Sequence, residues 1–260
     1  MEYVNRVRSM NTNRQWLLSK RPFGEVGVDN FEYTETPIPQ PGENQVLVRN
    51  LLLSFDPTQR GWMEDRESYL PPVKLGEPMR AGSVGQVKLS NHPDFSEGDL
   101  VQTTGGWQDF VVASPHIGPM GLSKVPDDIQ PEMMMSVLGV TGLTAYWGLL
   151  DLGDPQPGET VLVSGAAGAT GSVAGQIAKI KGCRVVGIAG GAEKCIWLVE
   201  ELGFDEAIDY KNVDVGRRIG ETCPKRVDVY FDNVGGTILE AALNHINLKS
   251  RVVLCGGISG

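Results

Sequence analysis

The sequence predicts an α/β protein, a doubly wound parallel sheet preceded by a β-rich domain. Three observations predict it. At 260 residues the chain is long enough for two domains of ordinary size. From Arg14 to Pro126, short apolar runs are cut by turn residues. From Glu132 onward, strand-like and helix-like runs alternate, the grammar of parallel strands joined by crossover helices. The domains are expected at residues 1–131 and 132–260.

In the first half, VLVRNLLLS (46–54), VGQVKL (84–89), DLVQTT (99–104) and WQDFVVAS (107–114) read as strands. PIPQPGEN, NHPDFSEGD and IGPMG between or after them are turn chemistry, and the spacing suggests an antiparallel sheet, part of a barrel. In SFDPTQRGWM, Asp56 is placed to cap a helix and Pro57 to occupy its first position. In the second half, residues 133–153 (MMMSVLGVTGLTAYWGLLDLG) read as an apolar helix ending at Gly153. ETVLVSG is then a strand, and TGSVAGQIAKIKG (170–182) a helix with Val173, Ile177 and Ile180 on one face. CRVVGIAG, EAIDY, VDVYFDN and RVVLCGG are further strands; AEKCIWLVEELG (192–203) is a helix, with more helical pieces between the later strands. Lys179, Lys181, Glu200 and Glu201 read as a solvated mixed-charge surface.

The net charge of −9 argues against nonspecific binding to nucleic acid or anionic membranes. Four cysteines (Cys183, Cys195, Cys223, Cys255) are far apart and fit buried thiols of a reducing compartment. The N-terminus has no apolar core of a signal peptide, and no apolar run is long enough to span a membrane. A cytoplasmic protein is expected, with its start at Met1 or Met10.

The chemistry concentrates in GAAGATGSVAGQ (165–176), which follows the first strand of the second half and opens its first helix. Free backbone N–H groups and the helix dipole favour an anion there, and glycine lets a pyrophosphate approach. The spacing is G-x-x-G-x-x-G in place of G-x-G-x-x-G; the same glycines would also serve a tight helix–strand packing. An NAD site places an acidic residue at the end of the second strand. Here that end is Ile188-Ala189-Gly190-Gly191, followed by Lys194, which leaves room and charge for a 2′-phosphate. NADP(H) is therefore the expected cofactor. The switch-point rule puts ligands at the carboxyl ends of the strands, where Asn233 and Cys255 fall.

Together LLSFDPTQRGWM (52–63), GVTGLTAYWGL (139–149), GAAGATGSVAGQIAKIKGCRVVGIAGGAEK (165–194), DYKN (209–212), FDNVGG (231–236) and LCGGIS (254–259) resemble the zinc-independent medium-chain dehydrogenase/reductases. The resemblance is to the leukotriene B4 dehydrogenase/prostaglandin reductase and curcumin reductase group of alkenal/one reductases. It implies a GroES-like first domain, a Rossmann second domain and NADPH between them. It further implies that Gly168, Ala169, Thr170 and Gly171 contact the pyrophosphate, that Lys194 and Tyr210 hold the 2′-phosphate, and that Thr144 approaches the cofactor. Asn233 and the turn Cys255, Gly256, Gly257, Ile258 and Ser259 would line the nicotinamide end.

No metal is expected. Zinc-dependent relatives carry G-H-E before G-x-V, and MRAGSVGQV has Ala81 and Gly82 there; His92, His116 and His245 are scattered. The reaction expected is reduction of an enone or enal carbon–carbon double bond, with hydride going to the β-carbon and donors stabilising the enolate. Tyr69, Trp62 and Trp107 are candidates to line the substrate, with Met63 beside them; packing on a loop is the competing role for Tyr69, and core packing is expected for at least one of Trp62, Met63 and Trp107. A small-molecule substrate and a possible homodimer are the expected partners. Quinone reduction and non-catalytic NADPH binding are the competing readings. Five strands are counted where such a fold usually has six, and the resemblance places a tyrosine just past Gly260, so the sheet is expected to be incomplete at its C-terminus and the proton donor is unassigned.

Overall fold

A computed structural model describes residues 12–115 and 121–259. Met1, Met10, His116 and most of the IGPMG turn lie outside the described residues. The contact pattern divides the chain after Met135.

In the first unit, β1 (Thr12–Leu18) pairs antiparallel with β2 (Phe31–Pro37) as a two-stranded ribbon. Both strands mix polar and apolar residues and gave no strand signal in the sequence. β3 (Val46–Leu53), β4 (Ser83–Ser90), β5 (Leu100–Thr103), β6 (Phe110–Ala113) and β7 (Ser123–Lys124) form an antiparallel sheet in the order β6-β3-β4-β5-β7. Val46, Val48, Val87 and Val101 make its core, and Leu47 and Val84 are buried as well. α1 is a single turn, Thr58–Trp62. Asp56 does not cap it with its side chain; Pro57 takes the cap position, and the Gln59 N–H donates to the Asp56 carbonyl at 3.0 Å.

The expected helix over 133–153 is broken. α2 (Pro131–Met134) belongs with the first unit; α3 (Val140–Trp147) opens the second and runs into a π-helical stretch, Gly148–Gly153. Gly142 explains part of the break, because the preceding turn crosses it so closely that a Cβ would lie 2.0 Å from the Val137 carbonyl oxygen.

The second unit is a five-stranded, all-parallel sheet. Its strands are β8 (Thr160–Ser164), β9 (Arg184–Ala189), β10 (Glu206–Asp209), β11 (Val227–Asp232) and β12 (Ile246–Leu254), in the order β10-β9-β8-β11-β12. The order reverses between β8 and β11, the switch point where such sheets bind ligands. α4 (Ala169–Ile180), α5 (Ala192–Glu200), α6 (Val215–Thr222) and α7 (Gly236–Leu243) connect the strands. β8 and β11 are buried almost throughout, consistent with cover on both faces.

α4 buries a different face from the one its large residues mark. Gly171, Ala174, Gly175 and Ala178 are buried, Val173 and Ile177 are at the core's margin, and Ile180 is 84% exposed. The reason is closeness: the Phe204 ring lies across Gly175, where a Cβ would sit 1.9 Å from it. Lys179 is not simply solvated, since its ammonium pairs with Asp205 at 2.8 Å. All four cysteines are free; Cys183 and Cys223 are buried, Cys195 and Cys255 half-buried.

Candidate functional site

At the carboxyl end of β8 the chain turns through Gly165, whose φ of +56° suits glycine. The Gly168 N–H donates back to the Gly165 carbonyl at 2.9 Å, and α4 starts with Gly168 at its cap and no side chain covering the helix end. Gly168 and Ala169 are exposed and Thr170 half-buried. Since the first helical N–H groups have no partner in the helix, this end offers donors to an anion. Gly171 is required for another reason: a Cβ there would stand 2.4 Å from the Gly165 carbonyl oxygen. The loop is thus both a close helix–strand packing and an open cradle.

Across the switch point lies a buried network that sequence reasoning missed. Asp232, 1% exposed, accepts hydrogen bonds from the Ser164 hydroxyl (2.7 Å), the Tyr230 hydroxyl (2.8 Å) and the Val234 and Gly235 N–H groups (3.1 and 3.0 Å). Its carbonyl oxygen takes the N–H groups of Cys255 (2.8 Å) and Gly256 (3.0 Å). One residue therefore ties the ends of β8, β11 and β12 together. Burial, with the bond to Asp232, pushes the Tyr230 phenol well above its ordinary range, so it stays a neutral donor. The signal available in the sequence was Asp232 itself, a carboxylate closing an apolar strand run where Asp is normally depleted.

That network orients Asn233. Its N–H donates to Ser164 Oγ at 2.8 Å and its side-chain Nδ2 to the Ser164 carbonyl at 2.7 Å, which leaves Oδ1 as the presented acceptor. Its Cβ is 3.3 Å from where a Cβ of Gly165 would be, so the structure brings Asn233 onto the glycine loop. Ser259 closes the 255–259 turn onto the same place, with N–H and Oγ both donating to the Val234 carbonyl (3.0 and 2.7 Å). Gly257 faces open space and Ile258 is 63% exposed. Burial raises the Cys255 thiol above its ordinary range, so it is not a reactive thiolate. Thr144 is exposed on α3, its hydroxyl donating to the Val140 carbonyl.

The second group sits at the ends of β9 and β10. Two glycines, with no acidic side chain, directly follow β9; Gly190 is covered by the Tyr210 ring, which a Cβ would approach to 2.8 Å, and Gly191 faces open space. Lys194 is exposed in the first turn of α5. Both groups lie along the carboxyl edge of one sheet, and the cradle, the open Gly191 and the cationic end without a carboxylate at position 190 fit NADP(H).

The substrate candidates of the first unit are neighbours: Trp107 packs against the cluster that holds Trp62 and Met63, and Tyr69 bonds Trp62. Trp62 is 6% exposed and packs in a core with Leu18, Met63, Val73 and Met79, so it is a packing residue and not a lining one. Its Nε1 donates to the Tyr69 hydroxyl at 3.1 Å, and that hydroxyl also bonds Thr58; Tyr69 is otherwise exposed. Trp107 stacks on Phe31 (5.0 Å) and Phe55 (5.2 Å) and helps line a separate apolar cavity of about 680 Å³ with Trp16, Tyr33 and Leu53. At the positions where zinc-dependent relatives carry ligands, Ala81 is fully buried and Gly82 has no side chain. Among the described residues no three His, Cys, Asp or Glu side chains gather in a metal-holding group.

Comparison with known proteins agrees with this geometry. The family described as N-terminal domain of oxidoreductase matches residues 14–119, and that described as Zinc-binding dehydrogenase matches residues 169–260. The chain is 46% identical over 248 residues to the NADPH-dependent curcumin reductase of Escherichia coli (strain K12), covering 95% of this chain and 71% of that one. It is 41% identical over 221 residues to the 2-alkenal reductase (NADP(+)-dependent) of Nicotiana tabacum, covering 84% and 64%. The crystal structure of CurA from Vibrio vulnificus in complex with NADPH superimposes with a TM-score of 0.87 at 41% identity, covering 92% of this chain and 70% of that one. These matches show that the chain belongs to the zinc-independent medium-chain dehydrogenase/reductase family, in the group of the curcumin and 2-alkenal reductases.

Proposed function

We propose that the protein is an NADPH-dependent reductase of the carbon–carbon double bond of α,β-unsaturated ketones or aldehydes. The observation that carries this is the β9 end, Gly190-Gly191, open at Gly191 and flanked by Lys194 and Tyr210, with the α4 cradle on the same sheet edge. NADP(H) is the cofactor, and when bound it supplies the hydride. The α4 N–H groups hold its pyrophosphate, and Lys194 with Tyr210 its 2′-phosphate. Asn233 presents Oδ1 to a hydroxyl donor at the nicotinamide end, while the 255–259 turn shapes the floor. The names of the relatives support the substrate class, since a 2-alkenal carries the conjugated double bond and carbonyl.

The test is fluorescence titration of the chain with NADPH and NADH, followed by NADPH oxidation with a simple enone and, in parallel, a quinone. Tight NADPH binding with enone turnover is expected. Turnover of the quinone alone would replace this reading with quinone reduction, and binding without turnover of either would favour a non-catalytic role.

A further inference from the structure

We propose that Lys211 is a second cation of the 2′-phosphate site and helps to set the choice of NADPH over NADH; the inference rests on the NADPH reading above. Lys211 follows Tyr210 and is exposed. Its stem runs back over the end of β9, with Cε 2.9 Å from where a Cβ of Gly190 would be, next to the Tyr210 ring at 2.8 Å. The stem thus lies against the glycine that replaces the acidic residue of NAD-binding sites.

The turn that places it is fixed. Asp209 Oδ1 accepts the N–H groups of Gly191 (2.8 Å) and Lys211 (3.1 Å), and Oδ2 takes the Asn212 side-chain amide at 2.6 Å. The Gly191 N–H is the main cause holding the Asp209 carboxyl below its ordinary range, so it stays ionised. This carboxylate locks the entry to α5, which carries Lys194, to the 210–212 turn, which carries Lys211.

Charge gives the second reason. Asp209 and Glu193 stand at this same edge, Glu193 in the first turn of α5. Lys194 alone would leave the spot net acidic, a poor place for a phosphate carrying up to two negative charges. Lys211 removes that deficit: its stem lies at Gly190 and Lys194 stands in the first turn of α5, so the two cations come to the end of β9 on two different elements. A phosphate there is bound by charge-assisted hydrogen bonds, the strong kind.

The experiment titrates the full chain by calorimetry with 2′,5′-ADP and with 5′-AMP, for wild type, Lys211→Ala, Lys211→Arg and Lys194→Ala. The wild type is expected to prefer 2′,5′-ADP. Lys211→Ala should weaken 2′,5′-ADP by roughly tenfold or more with 5′-AMP unchanged, and Lys211→Arg should restore most of the loss. Unaltered 2′,5′-ADP affinity in Lys211→Ala would overturn the proposal while leaving the NADPH reading intact. Equal losses for both nucleotides would also overturn it, as a structural effect. A wild type that does not distinguish the two ligands would overturn the NADPH reading itself.

Discussion

At the scale of residues, small side chains carry as much information as charged ones. Lys194→Ala is expected to weaken NADPH by about 10- to 150-fold, the worth of one charged hydrogen bond, with little change for NADH; paired titrations check it. Gly190→Asp, the substitution that copies an NAD site, should not create an NADH enzyme, because its Cβ would meet the Tyr210 ring at 2.8 Å. Loss of both cofactors is expected in that variant, readable by the same titrations. The glycine loop, Lys194, Tyr210 and Asn233 could be picked out as candidates because each belongs to a contiguous motif. The Ser164–Asp232–Tyr230 network and the folding back of Lys211 could not. The first joins residues 68 positions apart through strand pairing, and the second depends on where β9 ends against β10. Trp62 takes the other of the two roles the sequence left open for an aromatic beside a motif: it packs in the core.

At the scale of elements, helix α4 shows how pattern and packing part company. Its large apolar residues suggested the buried face, but the sheet takes the stripe of Gly171, Ala174, Gly175 and Ala178. Small residues let the helix axis come close, so that its first turn meets the end of β8 where the cradle forms. Gly175→Val is therefore expected to destabilise the protein by about 1–3 kcal/mol through overpacking against Phe204, measurable as a lower denaturant midpoint. The exposed substitution Ile180→Lys should change stability by less than about 0.5 kcal/mol. The five parallel strands were readable because they are apolar runs bounded by Gly, Asp and Asn. The β1–β2 ribbon was not, since half of its residues are polar and its pairing is what makes it a ribbon.

At the scale of the whole molecule, the second unit is cross-braced at both edges of its sheet. At the edge opposite the site, Arg251 on β12 reaches Glu159 before β8 with two short contacts (3.0 and 2.5 Å), and also the carbonyls of Gly153 and Asp154. The Arg251 guanidinium holds the Glu159 carboxyl below its ordinary value of 4.5. A carboxyl whose folded value is depressed stabilises the protein above its unfolded value and loses that contribution as pH falls through the folded one. Glu159→Gln should accordingly flatten the fall in melting temperature between about pH 5 and pH 3 relative to wild type. At the site edge, Asp232 binds three strand ends while sitting 1% exposed. This has a kinetic meaning. The amides of Gly235, Cys255 and Gly256 cannot reach solvent by local fraying while that residue stays buried, so their hydrogen–deuterium exchange should be as slow as that of the central strand amides and track global unfolding. The floor we propose for the nicotinamide end would then be as long-lived as the fold, and any motion of the proposed turnover would have to occur above it.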